Sequence, residues 1–248
     1  PANGQPIDIL FRVDSGEPTS RIRGPNVRVW SLSISPEGRY LVTGDMEGVI
    51  RAYDLVERRV SYVIESGQGL VTGLDTRENP DELWASFYGG QVRSYSLWSG
   101  DEIERTRLAT GAVWTIQLSR DGQYAVATTH NNRAYVMNTS SKAPVACIDG
   151  HSAEVLTAAF APDSKSIFTA DESGHMKRWQ VDDFVDPRAT EIDPNSGRLP
   201  QSRRISLPIE GGLNAIALDP TGQIAATGGD GERITLWDLR NGQPIDTL

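Results

Sequence analysis

Five stretches of this chain superpose on one another, and that repetition constrains the fold more than any other feature. Each stretch closes on a large residue: Tyr53, Tyr95, Met137, Trp179 and Trp237. The first four closing residues are evenly spaced, with a period of about 42 residues. The gap from Trp179 to Trp237 is longer than one period, so the last unit is preceded by an insertion. Within a unit, Ile34 to Tyr53, Leu118 to Met137, Phe160 to Trp179 and Leu218 to Trp237 share one spacing. Leu74 to Tyr95 is longer, which points to a longer turn over residues 77–82.

Each unit reads as short strands separated by turns. Ser31-Leu32-Ser33-Ile34 alternates polar and apolar, as a half-buried strand does. Ser35-Pro36-Glu37-Gly38 follows as a turn, with proline presetting φ and glycine permitting positive φ. Arg120-Asp121-Gly122, Pro162-Asp163-Ser164 and Asp219-Pro220-Thr221-Gly222 hold the same place in other units. Small, β-rich runs come next, such as Leu41-Val42-Thr43-Gly44 and Ile224-Ala225-Ala226-Thr227-Gly228. A second turn leads to the strand that carries the closing residue, and a fourth strand such as Val60-Ser61-Tyr62-Val63-Ile64 ends the unit. No amphipathic pattern long enough for a substantial helix is present.

Four short strands per period, closing on an aromatic, resemble the WD-repeat β-propeller family over roughly residues 28–248. The resemblance rests most on Gly150-His151 with Val155, Pro162 and Trp179, and on Thr227-Gly228-Gly229 with Trp237-Asp238. It implies an all-β fold of five four-stranded blades, expected at about 28–66, 69–106, 112–149, 154–209 and 212–248, within a ring of seven. It also implies that Trp179 and Trp237 are core and that His151 is structural. The family's Asp of the second turn falls at Glu47, Gly89, Asn131, Ser173 and Gly231. None is Asp, so the buried Asp–His–Ser/Thr–Trp network is expected to be incomplete in every blade.

Residues 3–10, Asn-Gly-Gln-Pro-Ile-Asp-Ile-Leu, repeat 241–248 with one change, Ile9 against Thr247. The later copy is expected to be an outer fourth strand. The earlier one then reads as an outer-strand remnant whose blade lies upstream, with residues 14–27 as a linker; residues 1–27 form that leading segment. The alternatives are an irregular sixth element closing the ring, or a spare strand that pairs with another chain.

Composition limits the function. The formal net charge of −9 disfavours direct binding to nucleic acid or an anionic membrane. No apolar run is long enough to insert in a membrane. Cys147 is the one cysteine, so no disulfide can form within the chain; an intracellular setting, cytoplasmic or nuclear, is expected. The three histidines, His130, His151 and His175, do not fall in a metal-binding or nucleophile–base spacing, and no phosphate-binding glycine loop is present. No cofactor, metal or catalytic residue is expected.

The resemblance places partner contacts on the face around the central channel. The residue starting each innermost strand is assigned to Trp30, Leu70, Trp114, Leu156 and Asn214. The residue two before it is assigned to Arg28, Gln68, Ala112, Glu154 and Gly212. The residue before the second-turn Asp position is Met46, Tyr88, His130, Glu172 and Asp230. Aromatic, methionine and arginine side chains of this kind dominate binding hot spots. The expected function is a non-catalytic scaffold for a protein partner, with Glu154, Glu172 and Asp230 favouring a basic segment. A regulatory domain of a longer protein is the alternative. A propeller enzyme would have only His130, Glu172 and Asp230 for a central site. The insertion over residues 182–204 is a second candidate surface.

Overall fold

The structure is a computed structural model; it describes residues 8–11, 18–22, 27–78, 81–183, 202–205, 212–231 and 233–248. The first described elements are an antiparallel pair, β1 (Asp8–Phe11) and β2 (Pro18–Ile22). Five four-stranded antiparallel sheets follow, each laid down in chain order. Blade 1 is β3 (Val29–Ile34), β4 (Tyr40–Asp45), β5 (Val49–Asp54) and β6 (Arg59–Glu65). Blade 2 is β7 (Val71–Arg77), β8 (Glu82–Phe87), β9 (Gln91–Ser96) and β10 (Glu102–Arg107). Blade 3 is β11 (Val113–Leu118), β12 (Tyr124–Thr129), β13 (Arg133–Asn138) and β14 (Pro144–Asp149). Blade 4 is β15 (Val155–Phe160), β16 (Ser166–Asp171), β17 (Met176–Gln180) and β18 (Ser202–Ile205). Blade 5 is β19 (Leu213–Leu218), β20 (Ile224–Gly229), β21 (Ile234–Asp238) and β22 (Gln243–Thr247). One 3-10 turn, Val181–Asp183, is the only helical segment among the described residues, and none of their helices could cross a membrane. Residues 184–201, most of the insertion singled out from the sequence, lie outside the described residues.

The first strands of successive blades pack side by side, β3 on β7, β7 on β11, β11 on β15 and β15 on β19. The second and third strands of each blade carry apolar residues on both faces, so every gap between blades is a core. Tyr40, Val42, Ile50 and Ala52 of blade 1 meet Leu74, Leu83, Ala85 and Tyr95 of blade 2. Trp84 and Val92 meet Ile116, Leu118 and Met137. Val126, Val136 and Ile148 meet Phe160, Ile167 and Trp179. Phe168, Ala170 and Met176 meet Leu213, Ala225 and Trp237. Burying such faces removes apolar area from water at about 25 cal/mol per Å², the main term holding blade to blade.

A polar staple recurs near the end of the first strands. Ser33 Oγ meets Thr76 Oγ1 of the next blade at 3.3 Å. Asp75 Oδ2 accepts the Leu118 N–H at 2.8 Å, and Gln117 Oε1 accepts the Phe160 N–H at 2.7 Å. Each staple fixes the height of one blade against its neighbour.

Three sequence expectations change. Blade 2 has no longer turn: Thr76 faces Leu83 as Ile34 faces Leu41, so the place given to Leu74 belongs to Thr76. Residues 18–22, read as linker, form β2. The segment read as an outer strand, residues 3–10, contributes β1 at Asp8–Phe11, and β1 pairs with β2 in the register that a third strand has with a fourth. In β13–β14, Val136 faces Ala146 and Met137 faces Pro144 across a register shift; in β1–β2, Leu10 faces Ser20 and Phe11 faces Pro18 across the same shift.

Candidate functional site: the channel mouth

Every first strand carries an irregularity at its start. Val29 pairs with Asp45 and Ser31 with Gly44, leaving Trp30 as the extra residue. The same slip leaves Thr72, Trp114, Leu156 and Asn214 extra in blades 2 to 5. A bulge of this kind re-aims the side chain of its extra residue. All five extra residues line a single cavity of about 400 Å³, together with Thr115 and Thr157. Leu70 is therefore not the blade 2 counterpart of Trp30; Thr72 is, with its hydroxyl donating to the Val113 carbonyl at 2.5 Å.

The backbone fixes the other two sets. Met46 N–H donates to Arg28 O, His130 N–H to Ala112 O, Glu172 N–H to Glu154 O and Asp230 N–H to Gly212 O, at 2.9–3.2 Å. In blade 2 the equivalent bond runs from Tyr88 N–H to Leu70 O at 3.0 Å, so Leu70 takes the position assigned to Gln68. Repeated in five blades, this bond clamps the turn after each second strand to the segment entering the first strand. It brings the three residue sets to the same end of the channel.

The side chains at this mouth are linked. Tyr88 and Trp114 meet edge to face with ring centroids 5.7 Å apart. Trp114 Nε1 donates to Glu154 Oε2 at 3.0 Å, holding the indole and placing a carboxylate at its edge. Asn214 Nδ2 donates to Asp230 Oδ1 at 2.8 Å. Trp30 is 51% exposed, Tyr88 55% and Met46 45%. Glu172, Asp230 and Arg28 are exposed, and Leu156 is half-buried. His130 lies over Gly111, where a Cβ would fall 2.7 Å from the imidazole, and its buried Nδ1 has no partner among the described residues.

Other residues singled out from the sequence are structural. Trp179 and Trp237 are 1% exposed, each donating its indole N–H to a threonine, Thr169 at 2.7 Å and Thr227 at 2.8 Å. In blade 4 the buried network is complete, contrary to expectation. His151 Nε2 meets Thr169 Oγ1 at 2.6 Å and His151 Nδ1 meets Asp171 Oδ2 at 2.7 Å. Asp171 accepts only, so the proton of the neutral His151 sits on Nδ1, and Nε2 accepts from the Thr169 hydroxyl. The carboxylate comes from the last residue of β16, ahead of the expected Ser173. Its other oxygen caps the turn by accepting from Ser173 and His175 N–H at 3.0 Å. Asp45 caps the blade 1 turn in the same way, accepting from Glu47 and Val49 N–H at 3.0 and 2.9 Å. Burial holds the His151 imidazole below its ordinary pKa, against the opposing pull of Asp171. Among the described residues no group of three or more His, Cys, Asp or Glu side chains is placed to hold a metal ion.

Known proteins carry the same repeat. The family model described as WD domain, G-beta repeat matches residues 16–54, 142–180 and 205–238. The first two matches start two residues before an outer strand and the third at the last residue of one, and each runs through the first three strands of the next blade. The Target of rapamycin complex subunit wat1 of Schizosaccharomyces pombe is 29% identical over 159 residues, 63% of this chain and 45% of that protein. The WD repeat-containing protein RUP1 of Arabidopsis thaliana is 25% identical over 232 residues, 87% of this chain and 54% of that protein. The 1-butanol dehydrogenase (quinone) of Thauera butanivorans is 26% identical over 116 residues, 46% of this chain and 19% of that enzyme. The chain spans about half the length of the first two relatives. Three repeat matches, five four-stranded sheets in sequential order and the buried tryptophan network make this chain similar to WD-repeat β-propellers.

Proposed function

We propose that the chain is a non-catalytic interaction scaffold that holds a basic peptide segment across the channel mouth. One observation carries the reading: five bulge residues converge on one cavity beside an exposed aromatic pair whose indole is held by a carboxylate. A cationic side chain can lie against the Tyr88 and Trp114 rings and pair with Glu154, while Glu172 and Asp230 draw in the flanking charges. Trp30 and Leu156 supply apolar area for the body of the segment. The contacts described at this mouth are aromatic edges, amides and carboxylates, with no base bonded to a nucleophile. A relative named as a complex subunit supports the scaffold reading, and the match to the dehydrogenase spans too little of that enzyme to bring its reaction here. The chain's partner is accordingly read as a protein within an assembly, in the cytoplasm or nucleus, rather than nucleic acid or a membrane.

The test is fluorescence anisotropy with short arginine- and lysine-containing peptides on the wild type and on a Tyr88→Ala, Trp114→Ala variant that melts alike. Binding lost from the variant supports the reading. Equal binding to both proteins moves the site off this face.

A second reading, a regulatory module within a longer protein, is favoured by the length of the relatives. It uses the same face.

A further inference from the structure

Blade 4 carries its positive charge differently from the other blades. Across β17 and β18, Lys177 stands opposite Arg204 and Arg178 opposite Arg203, two cation pairs in succession. Blades 1, 3 and 5 have no such pair between their third and fourth strands, and blade 2 has one, Arg93 with Arg105. Like charges directly opposed across two strands repel.

Blade 2 shows how the chain answers that repulsion. Glu102 pairs with Arg93 at 3.0 Å and with Arg105 at 2.6 Å, so one carboxylate serves both arginines. In blade 4 the cations of β17 rest on neutral groups instead. Lys177 Nζ donates to the Gly150 carbonyl and lies over the Trp179 ring, 6.0 Å from its centroid. Arg178 donates to Ser166 Oγ at 3.0 and 3.2 Å and lies over Phe168, 5.6 Å from its centroid. Neither has a carboxylate partner among the described residues; Asp171, the buried blade 4 carboxylate, is taken up by His151, His175 and the turn. The fourth strands of blades 1, 2, 3 and 5 each contain a Glu or Asp, whereas β18, Ser202–Ile205, contains none. In a chain with a net charge of −9, this is a local field of the opposite sign.

We propose that the outer edge of β18 is a docking surface for an extended acidic segment of a protein partner. β18 pairs with β17 on one side and, among the described residues, with no strand on the other. Neighbouring residues of a strand fall on opposite faces of the sheet, so the two cation pairs flank this edge from both sides. An extended segment lying along the edge alternates in the same way and presents successive carboxylates to both pairs, while a compact anion meets one pair only. Those carboxylates supply to blade 4 the counter-charge that Glu102 supplies to blade 2. The negative charge of the whole molecule repels a long polyanion such as nucleic acid, whereas a short segment feels chiefly the cations within about 8–10 Å. This surface is separate from the channel mouth and opposite to it in sign, so a scaffold using both holds two segments of opposite charge.

The test is fluorescence anisotropy with a short labelled peptide rich in Glu and Asp, on the wild type and on an Arg203→Gln, Arg204→Gln variant. Binding weakened on the order of tenfold in the variant, with amide protection gained at residues 202–205 when the wild type binds, supports the proposal. Should the double variant melt lower, Lys177→Gln, which leaves β18 untouched, is expected to weaken binding about threefold. Equal binding to wild type and variants, binding without protection of β18, or no binding to the wild type overturns it. So does tighter binding of a nucleic acid oligomer of equal charge. Binding that appears only after Asp186→Asn, Glu191→Gln and Asp193→Asn also overturns it, because the cations are then neutralised within the chain. Basic-peptide binding at the channel mouth is measured on the same variants and should not change, so either idea can fail without the other.

Discussion

His151, Thr169, Asp171 and Trp179 form one chain of hydrogen bonds running from the Trp179 indole to the Asp171 carboxylate. Replacing His151 by Ala leaves Thr169 and Asp171 short of a partner and is expected to cost about 1–3 kcal/mol, read from urea unfolding. The pH dependence follows from the direction of the shift. The imidazole is held below its ordinary pKa in the fold, whereas the unfolded chain takes up its proton near 6.5. The stability that neutral His151 confers is therefore complete above about pH 6.5 and is lost as pH falls through the lower folded value. The His151→Ala variant should lose that slope. At the mouth, Glu154→Gln keeps the shape of the acceptor for Trp114 but removes its charge. It should weaken binding of a basic peptide by about 1 kcal/mol while leaving the melting temperature unchanged. The closing tryptophans were legible from the repeat together with the family resemblance it carries. The carboxylate of the network was not, because Asp171 reaches His151 from the end of a strand rather than from the turn where the family pattern puts it.

Between elements, the densest polar contact ties blade 2 to blade 3. Glu82 receives Arg77 at 2.9 Å, Lys142 at 2.5 Å and the Trp84 indole N–H at 3.0 Å, and Arg77 and Lys142 are 8% and 11% exposed. Burial pushes the Lys142 ammonium below its ordinary pKa, and Glu82 opposes that push. Glu82→Gln leaves two buried cations without a counter-charge and should cost about 3–5 kcal/mol, seen as a lowered denaturation midpoint. Asp75 behaves in the opposite sense to His151. Burial raises its pKa to about 6, against the bonds from Leu118 and Thr76. Its protonated form favours the fold below about pH 3.9, the unfolded value, and that contribution is lost as pH rises through about 6. Asp75→Asn should flatten the dependence of melting temperature on pH between about 4 and 7. The error over blade 2 has its cause at this scale. Side chains in a strand alternate with period two, so sliding the assignment by two positions leaves every apolar residue on its proper face. Leu74 and Thr76 are therefore exchangeable to a reader of pattern, and only strand pairing separates them. The copy of residues 241–248 at 3–10 misled for a related reason: near-identical residues serve a fourth strand at one end and a third strand at the other.

For the molecule as a whole, a net charge of −9 means that attraction for a basic segment is long-ranged and screened by salt. Raising salt from about 0.05 to about 0.3 M should slow association with a basic peptide more than it speeds dissociation, measured by stopped-flow tryptophan fluorescence. The number of complete blades and their order were legible from the period, because each closing residue must return to the same place in its sheet. How the ends are finished was not, since that depends on which strands share an edge. The stretches matched by the family model, 16–54 and 142–180, run from the outer strand of one blade to the third strand of the next. Each matched stretch is thus out of phase with the blade that packs. Such a stretch lends one strand to the sheet before it and three to the sheet after it, so adding or removing one would change the count by a whole blade while leaving each neighbouring sheet with four strands.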